Sequence, residues 1–245
     1  MRRKAVVFML LAAVMALTAC GKDPVDIQKE YVSLMETPVS EQQIEKVETY
    51  LEENLSDMKE EAADEMLIEY EAYIYPYYNG NVDYDRIRTL YGKYASSHYE
   101  DLCGMKEKEQ QNPATKAGKL AISRAELCAR ANELEILIGK DPEKKAIRQD
   151  ADALYKNYVK LLLAGAADSP NFDLKTGAFL KEAETAYRTF LKENPDTVLA
   201  GILGEYLDYV QQMGGKLDLS DAEAGKEYYN TCTYLEAEAG KRVME

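Results

Sequence analysis

The sequence predicts an all-α protein, a helical bundle of stacked antiparallel hairpins with about seven or eight helices. Three observations carry that prediction. Apolar residues recur every three or four positions over long stretches, which places them on one face of a helix. Helix start and stop signatures separate those stretches. Proline is scarce, 7 in 245 residues, and after the amino-terminal segment there is no series of β-branched runs divided by turns, so almost no sheet is expected.

At the amino end, Met1-Arg2-Arg3-Lys4 precedes thirteen uncharged residues, Ala5 to Leu17. A basic start followed by a short apolar run is the layout of an export signal. A permanent span needs about 20 apolar residues, so this run is short for a membrane-crossing helix. It ends in Leu17-Thr18-Ala19-Cys20, and charged, polar chain begins directly afterwards. The segment resembles the lipobox of bacterial lipoproteins: a branched apolar residue, two small ones, then a cysteine. The resemblance implies a signal peptide over residues 1–19, cleavage after Ala19, diacylglycerol on the Cys20 sulfur and often a further acyl chain, such as palmitate, on the new amino group. Each buried methylene contributes roughly 0.8 kcal/mol, so two or three chains hold durably where one does not. The implied location is the extracytoplasmic face of the cell membrane, or the outer membrane in a two-membraned cell.

Residues 20–39, with Pro24 and Pro38 near their ends, read as a lipidated tether containing a short helix around Val25 to Met35. Residues 40–245 read as an all-helical extracytoplasmic domain. Ser40-Glu41-Gln42-Gln43 has the form of a capping box, and the apolar stripe from Ile44 through Leu51, Met58 and Met66 to Tyr73 runs until Pro76, as one long helix or two joined near Asn54. A segment from Asp83 to Asn112-Pro113 carries Ile87, Tyr91, His98 and Leu102 on one face. The next, residues 117–138, uses Leu127, Ala131, Leu134 and Ile138, with Gly139 as its stop. Asp141-Pro142-Glu143 then reads as a helix start, followed by Ile147, Ala151, Leu154 and Tyr158. Helices over 176–193 and 196–213 are split by Asn194-Pro195 and closed by Gly214-Gly215. Ser220-Asp221-Ala222-Glu223 reads as a capping box for a last helix to about Ala239.

Tyr50-Leu51-Glu52-Glu53-Asn54 and Phe190-Leu191-Lys192-Glu193-Asn194 share an aromatic-Leu-x-Glu-Asn ending. The stretch 183–213 around the second copy resembles the tetratricopeptide-type helical hairpins of envelope lipoproteins, which implies a solenoid. Full repeats at a 34-residue spacing are missing, which favours a non-repetitive bundle.

Charge and residue inventory narrow the function. The net charge is −14, and removing residues 1–19 takes away three basic residues and no acidic one, leaving −17. Phosphate backbones repel such a chain, so no nucleic-acid partner is expected, and anionic lipid heads repel it too, so lipid rather than surface charge would hold it at the membrane. No glycine-rich phosphate loop is present, so no nucleotide is expected. One histidine, His98, and the cysteines Cys103, Cys128 and Cys232 lack the C-x-x-C spacing of structural zinc, so no metal and no cofactor are expected. Those cysteines read either as one disulfide, Cys103 with Cys128, plus a thiol, or as buried thiols. With no G-x-S-x-G and a lone histidine on a packed face, nucleophilic hydrolysis has no constellation.

The stretch 70–84, YEAYIYPYYNGNVDY, holds six of the 19 tyrosines. Tyr75, Tyr77 and Tyr78 offer flat amphipathic faces and are the candidate binding surface, although covering a helix end accounts for them too. Asn79 to Asp85 alternates oxygen-bearing side chains, yet Tyr84 and Leu90 stand where a calcium loop needs glycine and glutamate. Acidic clusters such as Glu60-Glu61 and Asp64-Glu65 read as a solvated helix face. The expected function is therefore a non-enzymatic binding or scaffold module for a protein or cell-wall partner, membrane-attached through lipid on Cys20. The alternative is a cell-wall-active enzyme using an acidic residue, since 44 acids supply carboxylate pairs by number alone.

Overall fold

In the computed structural model, which describes residues 22–218 and 220–245, the periodic stretches are helices. The lipobox and Cys20 lie outside the described residues. Ten α-helices stand among those described: α1 (Pro24–Met35), α2 (Glu41–Asn54), α3 (Glu60–Ile74), α4 (Tyr84–Tyr91), α5 (Ser97–Gln111), α6 (Arg124–Lys140), α7 (Lys145–Ala164), α8 (Lys181–Glu193), α9 (Val198–Gln212) and α10 (Ala222–Met244). Two antiparallel ribbons of two residues per strand complete the elements: β1 (Thr115–Lys116) with β2 (Lys119–Leu120), and β3 (Gly165–Ala166) with β4 (Ser169–Pro170). The protein is an all-α bundle.

The chain forms two compact units, one ending at Gly80 and the other beginning at Asn81. In the first, the Asp23 carboxylate accepts from the Val25 amide at 2.9 Å and Pro24 presets the first helical turn of α1. Ile27 and Tyr31 of α1 are fully buried, and the Tyr31 hydroxyl donates to the Met66 carbonyl of α3. The helix expected within the tether is thus built into the core of its unit. Ser40 caps α2 by accepting from the Gln43 amide, and a 3-10 turn at Leu55–Asp57 separates α2 from α3, which makes two helices of the long stripe. Asp64 is 1 % exposed, because it shares the inward face of α3 with Ala63, Leu67 and Glu71. It is not part of a solvated acidic face.

The second unit stacks helical hairpins. α6 packs along α7, α8 along α9, and α10 lies across α7 and α9. The short connection between α8 and α9 makes them antiparallel neighbours. The bundle is what the helices establish, and the motif shared by residues 50–54 and 190–194 makes the same local contact in both copies. Asn54 Nδ2 donates to the Tyr50 carbonyl at 2.8 Å and Asn194 Nδ2 to the Phe190 carbonyl at 3.3 Å, each folding back on the carbonyl four residues earlier at the helix end. A buried arginine ties α5, α6 and α7 together. Arg130 Nε donates to Glu126, and Arg130 Nη1 donates to Glu109 at 3.1 Å, which also accepts from the Tyr158 hydroxyl at 2.8 Å.

Several boundaries differ from those expected. The segment from Asp83 is two helices, because Ser96 caps a new start by accepting from the Tyr99 amide. Residues 117–121 do not begin α6: Ala117 and Gly118, at φ 49° and 79°, turn a β-hairpin, and Ser123 caps α6 through the Glu126 amide. Asp141 accepts from the Glu143 amide two residues on, closing a local turn that delays α7 to Lys145. α8 starts at Lys181 rather than 176, because Asp173 accepts from the Lys175 and Thr176 amides in the preceding loop. Asp221, not Ser220, caps α10, since the Ser220 hydroxyl is spent on Asp218.

Candidate functional site

What holds the hairpins in register is a knot of polar groups at the carboxyl end of α7. The last carbonyls of a helix lack intrahelical donors, and here three side chains from other elements supply them. Asn171 Nδ2 donates to the Leu162 and Leu163 carbonyls at 2.6 and 2.9 Å. The Tyr187 hydroxyl of α8 donates to Leu162, and the Tyr228 hydroxyl of α10 donates to Leu163 at 2.6 Å. Asn171 Oδ1 accepts from Arg124 Nε at 2.9 Å, which brings a cation toward the negative end of the α7 dipole. Around this knot Phe172, Tyr206 and Tyr228 pack with ring centroids 5.3 to 6.5 Å apart. Burial lifts the Tyr187, Tyr206 and Tyr228 hydroxyls far above the ordinary value near 10.

The knot and one further contact fix the direction of α8 beside α6. At their amino ends Arg124 Nη1 lies 3.5 Å from Glu182 Oε1. At the other end the Glu135 carboxylate of α6 accepts from the Val198 and Leu199 amides at 2.6 and 2.9 Å, capping α9 directly after α8. The two helices therefore run side by side in the same direction. Between them lies a groove of about 810 Å³. Its floor holds buried Cys128 and Phe190 and exposed Ala125, Ala129 and Thr189, and its rim holds Asn132, Glu133, Lys181, Glu182 and Glu193.

This site escapes a stripe-by-stripe reading because its residues are small or polar and so register as solvent face. One signal does mark it. Ala125, Ala129, Asn132 and Ile136 sit at helical spacing on a face of α6 distinct from the buried stripe of Leu127, Ala131, Leu134 and Ile138, and Ile136 is 55 % exposed. An exposed isoleucine at the end of a run of small residues is a second, uncovered apolar stripe.

The aromatic candidates lie in the first unit. Tyr75, Tyr77 and Tyr78 follow α3 and are 55, 41 and 42 % exposed, with the Tyr77 and Tyr78 rings edge to face at 5.1 Å. Tyr70 and Tyr84 of the same stretch are buried. Asn79 and Gly80, both at positive φ, close the turn, and Asp83 caps α4 through the Arg86 amide, as the turn-and-cap reading of residues 79–85 requires. Among the described residues no group of three or more histidine, cysteine or acidic side chains could hold a metal ion.

Cys103, Cys128 and Cys232 are buried thiols, with no disulfide between Cys103 and Cys128. Burial pushes the Cys128 thiol up to about 12, so the sulfur in the groove floor stays protonated at neutral pH and acts as a small apolar group. The Glu69 carboxyl is held above its ordinary range, through burial first and the Glu65 charge one turn earlier second. It lines a smaller cleft, about 450 Å³, between α1 and α3. No protein-family model, curated protein or solved structure matches this chain.

Proposed function

We propose that this chain is a bacterial envelope lipoprotein, attached by lipid on Cys20 to the extracytoplasmic face of its membrane, that works as a binding or scaffold module for a protein or cell-envelope partner. The observation that supports the binding role is the groove between α6 and α8. It combines an apolar floor with a hydrogen-bonding rim, which is the composition of a contact surface. Its sulfur is not a nucleophile at neutral pH, and the lone histidine is on another helix, α5. Among the described residues no helix is long and apolar enough to cross a membrane, and in this reading attachment rests on acyl chains.

Two measurements test the proposal separately. Cys20→Ala is expected to abolish metabolic labelling with an alkyne fatty acid and to leave an unprocessed or mislocalised chain; a labelled variant would refute the anchor. A photoreactive amino acid at Thr189, in the groove, is expected to give a discrete adduct in intact cells, while the same group at exposed Lys160 on α7 gives none. Equal adducts at both positions, or none at Thr189, would remove the groove as the binding site.

A further inference from the structure

We infer that the outward face of α1, with the cleft it forms against α3, rests on the lipid surface, and that zwitterionic headgroups fit it better than anionic ones. The inference rests on the anchor in the reading above and adds the side of the first unit that meets the membrane.

Position selects the occupant. Lys22 already lies against the first unit: its ammonium pairs with Glu30 at 2.6 Å and sits 5.2 Å from the centre of the Tyr50 ring. It stands two residues after Cys20, so at most about 7 Å of extended chain separates them. Acyl chains on Cys20 therefore keep a bilayer within reach of the first turns of α1 at all times. A freely diffusing partner has to compete there with a surface that is tethered in place.

The face is apolar where the fold leaves it open. Ile27 and Tyr31 form the stripe of α1 that the unit covers. Val25 and Val32 form a second one: they are seven residues apart, which puts them on one side of the helix, and they are 55 and 46 % exposed. Val25 belongs to the first turn, the part of α1 nearest to Cys20 in the chain.

The cleft beside them, about 450 Å³, is lined by both valines and by Met66, Glu65 and Glu69 of α3. α3 runs in the same direction as α1, since Tyr31 donates to the Met66 carbonyl and Tyr73 to the Thr37 carbonyl. The open stripe and the cleft therefore share the long axis of α1. A body laid on this side brings both valines to the lipid together.

The polar groups suit a headgroup layer. Lys29 lies between the valines with its ammonium 3.7 Å from Asp26, and a lysine stem follows an apolar surface while its charge stays in the wet layer. Glu65 and Glu69 have no cation at ion-pair distance among the described residues. They attract the ammonium of a zwitterionic head and repel the excess phosphate of an anionic lipid. Burial and the Glu65 charge already hold the Glu69 carboxyl above its ordinary range, so it takes up a proton readily as lipid displaces water.

The test uses the full chain, produced in bacteria with its amino-terminal segment intact and reconstituted into phosphatidylcholine vesicles. Val25→Cys, Val32→Cys and, on the exposed side of α2, Thr49→Cys each carry an environment-sensitive fluorophore; Cys103, Cys128 and Cys232 are buried and stay unlabelled. Nitroxide-bearing lipids are expected to quench the labels at 25 and 32 at least about threefold more than the label at 49. That quenching should fall by about half when phosphatidylglycerol replaces half of the lipid. Val25→Asp should abolish it for a label at 32 while the chain still floats with the vesicles. Should a label at either valine disturb the helix, Ser33→Cys in the lining of the same cleft replaces it. A chain that floats yet shows equal quenching at all three positions would overturn the contact and leave the anchor standing. A chain that does not float would overturn the anchor and the contact with it. Quenching that rises with phosphatidylglycerol would overturn the headgroup preference.

Discussion

Urea titrations of the purified chain are expected to show stability falling steeply from pH 9 to pH 11. Tyr155, Tyr158, Tyr187, Tyr206 and Tyr228 are at most 2 % exposed, and burial raises each hydroxyl well above the ordinary value near 10. Unfolded tyrosines ionise near 10 and the folded ones do not. Above that pH the unfolded chain holds fewer protons than the folded chain, so the stability present below pH 10 is lost as pH rises. Each such group costs about 1.4 kcal/mol per pH unit, and five together cost about 7 kcal/mol per unit. Against a typical domain stability of about 5–15 kcal/mol, the second unit should unfold before pH 12. Cys128 and Cys232, raised by burial to about 12 and about 11, add to the same trend from pH 9 upward. An unfolding midpoint that stays level from pH 9 to pH 11 would mean these hydroxyls are not held as described.

Asn171→Leu is expected to cost about 3–5 kcal/mol, measured as a shift in the urea midpoint at pH 7. The substitution keeps a side chain of similar length but removes both donors to the α7 carbonyls and the acceptor for Arg124, which is itself only 6 % exposed. The loss therefore includes a buried guanidinium left with weaker partners, the Pro170 carbonyl at 3.3 Å and Glu182 at 3.5 Å. Tyr187→Phe supplies the contrast. It deletes one bond to a carbonyl that keeps Asn171, so about 1 kcal/mol is expected. Equal effects of the two substitutions would show that Asn171 is one bond among several and not the centre of the knot.

The helices were legible in the sequence where their apolar stripe and their caps agreed. Ser40 and Asp83 were readable because each stands at the start of a periodic run and nothing nearby competes for its oxygen. Asp141 misled for the opposite reason: its carboxylate has a closer amide, that of Glu143, and closes a turn there. The hairpin at Thr115–Leu120 was missed because Ala117, not asparagine or glycine, takes the first left-handed position, and alanine carries no turn signal. Asn171 was invisible because it lies between helices, where no period exists, and because its partners come from residues 124, 162, 163 and 206, which only tertiary folding brings together. The groove was missed on similar grounds. A stripe reports that a face is covered, not by what, and two faces of small residues become a cleft only when α6 and α8 lie side by side.

The docking of Ile27 and Tyr31 has a consequence for how far this protein could stretch from an anchor. With α1 beginning at Pro24, only three residues of sequence, 21–23, separate it from Cys20, which spans at most about 10 Å. With acyl chains on Cys20, the first helix would begin almost at the level of the headgroups. In the proposed lipid-anchored form, that short link would hold the first unit close beside the lipid, leaving it free to diffuse sideways in the plane of the membrane.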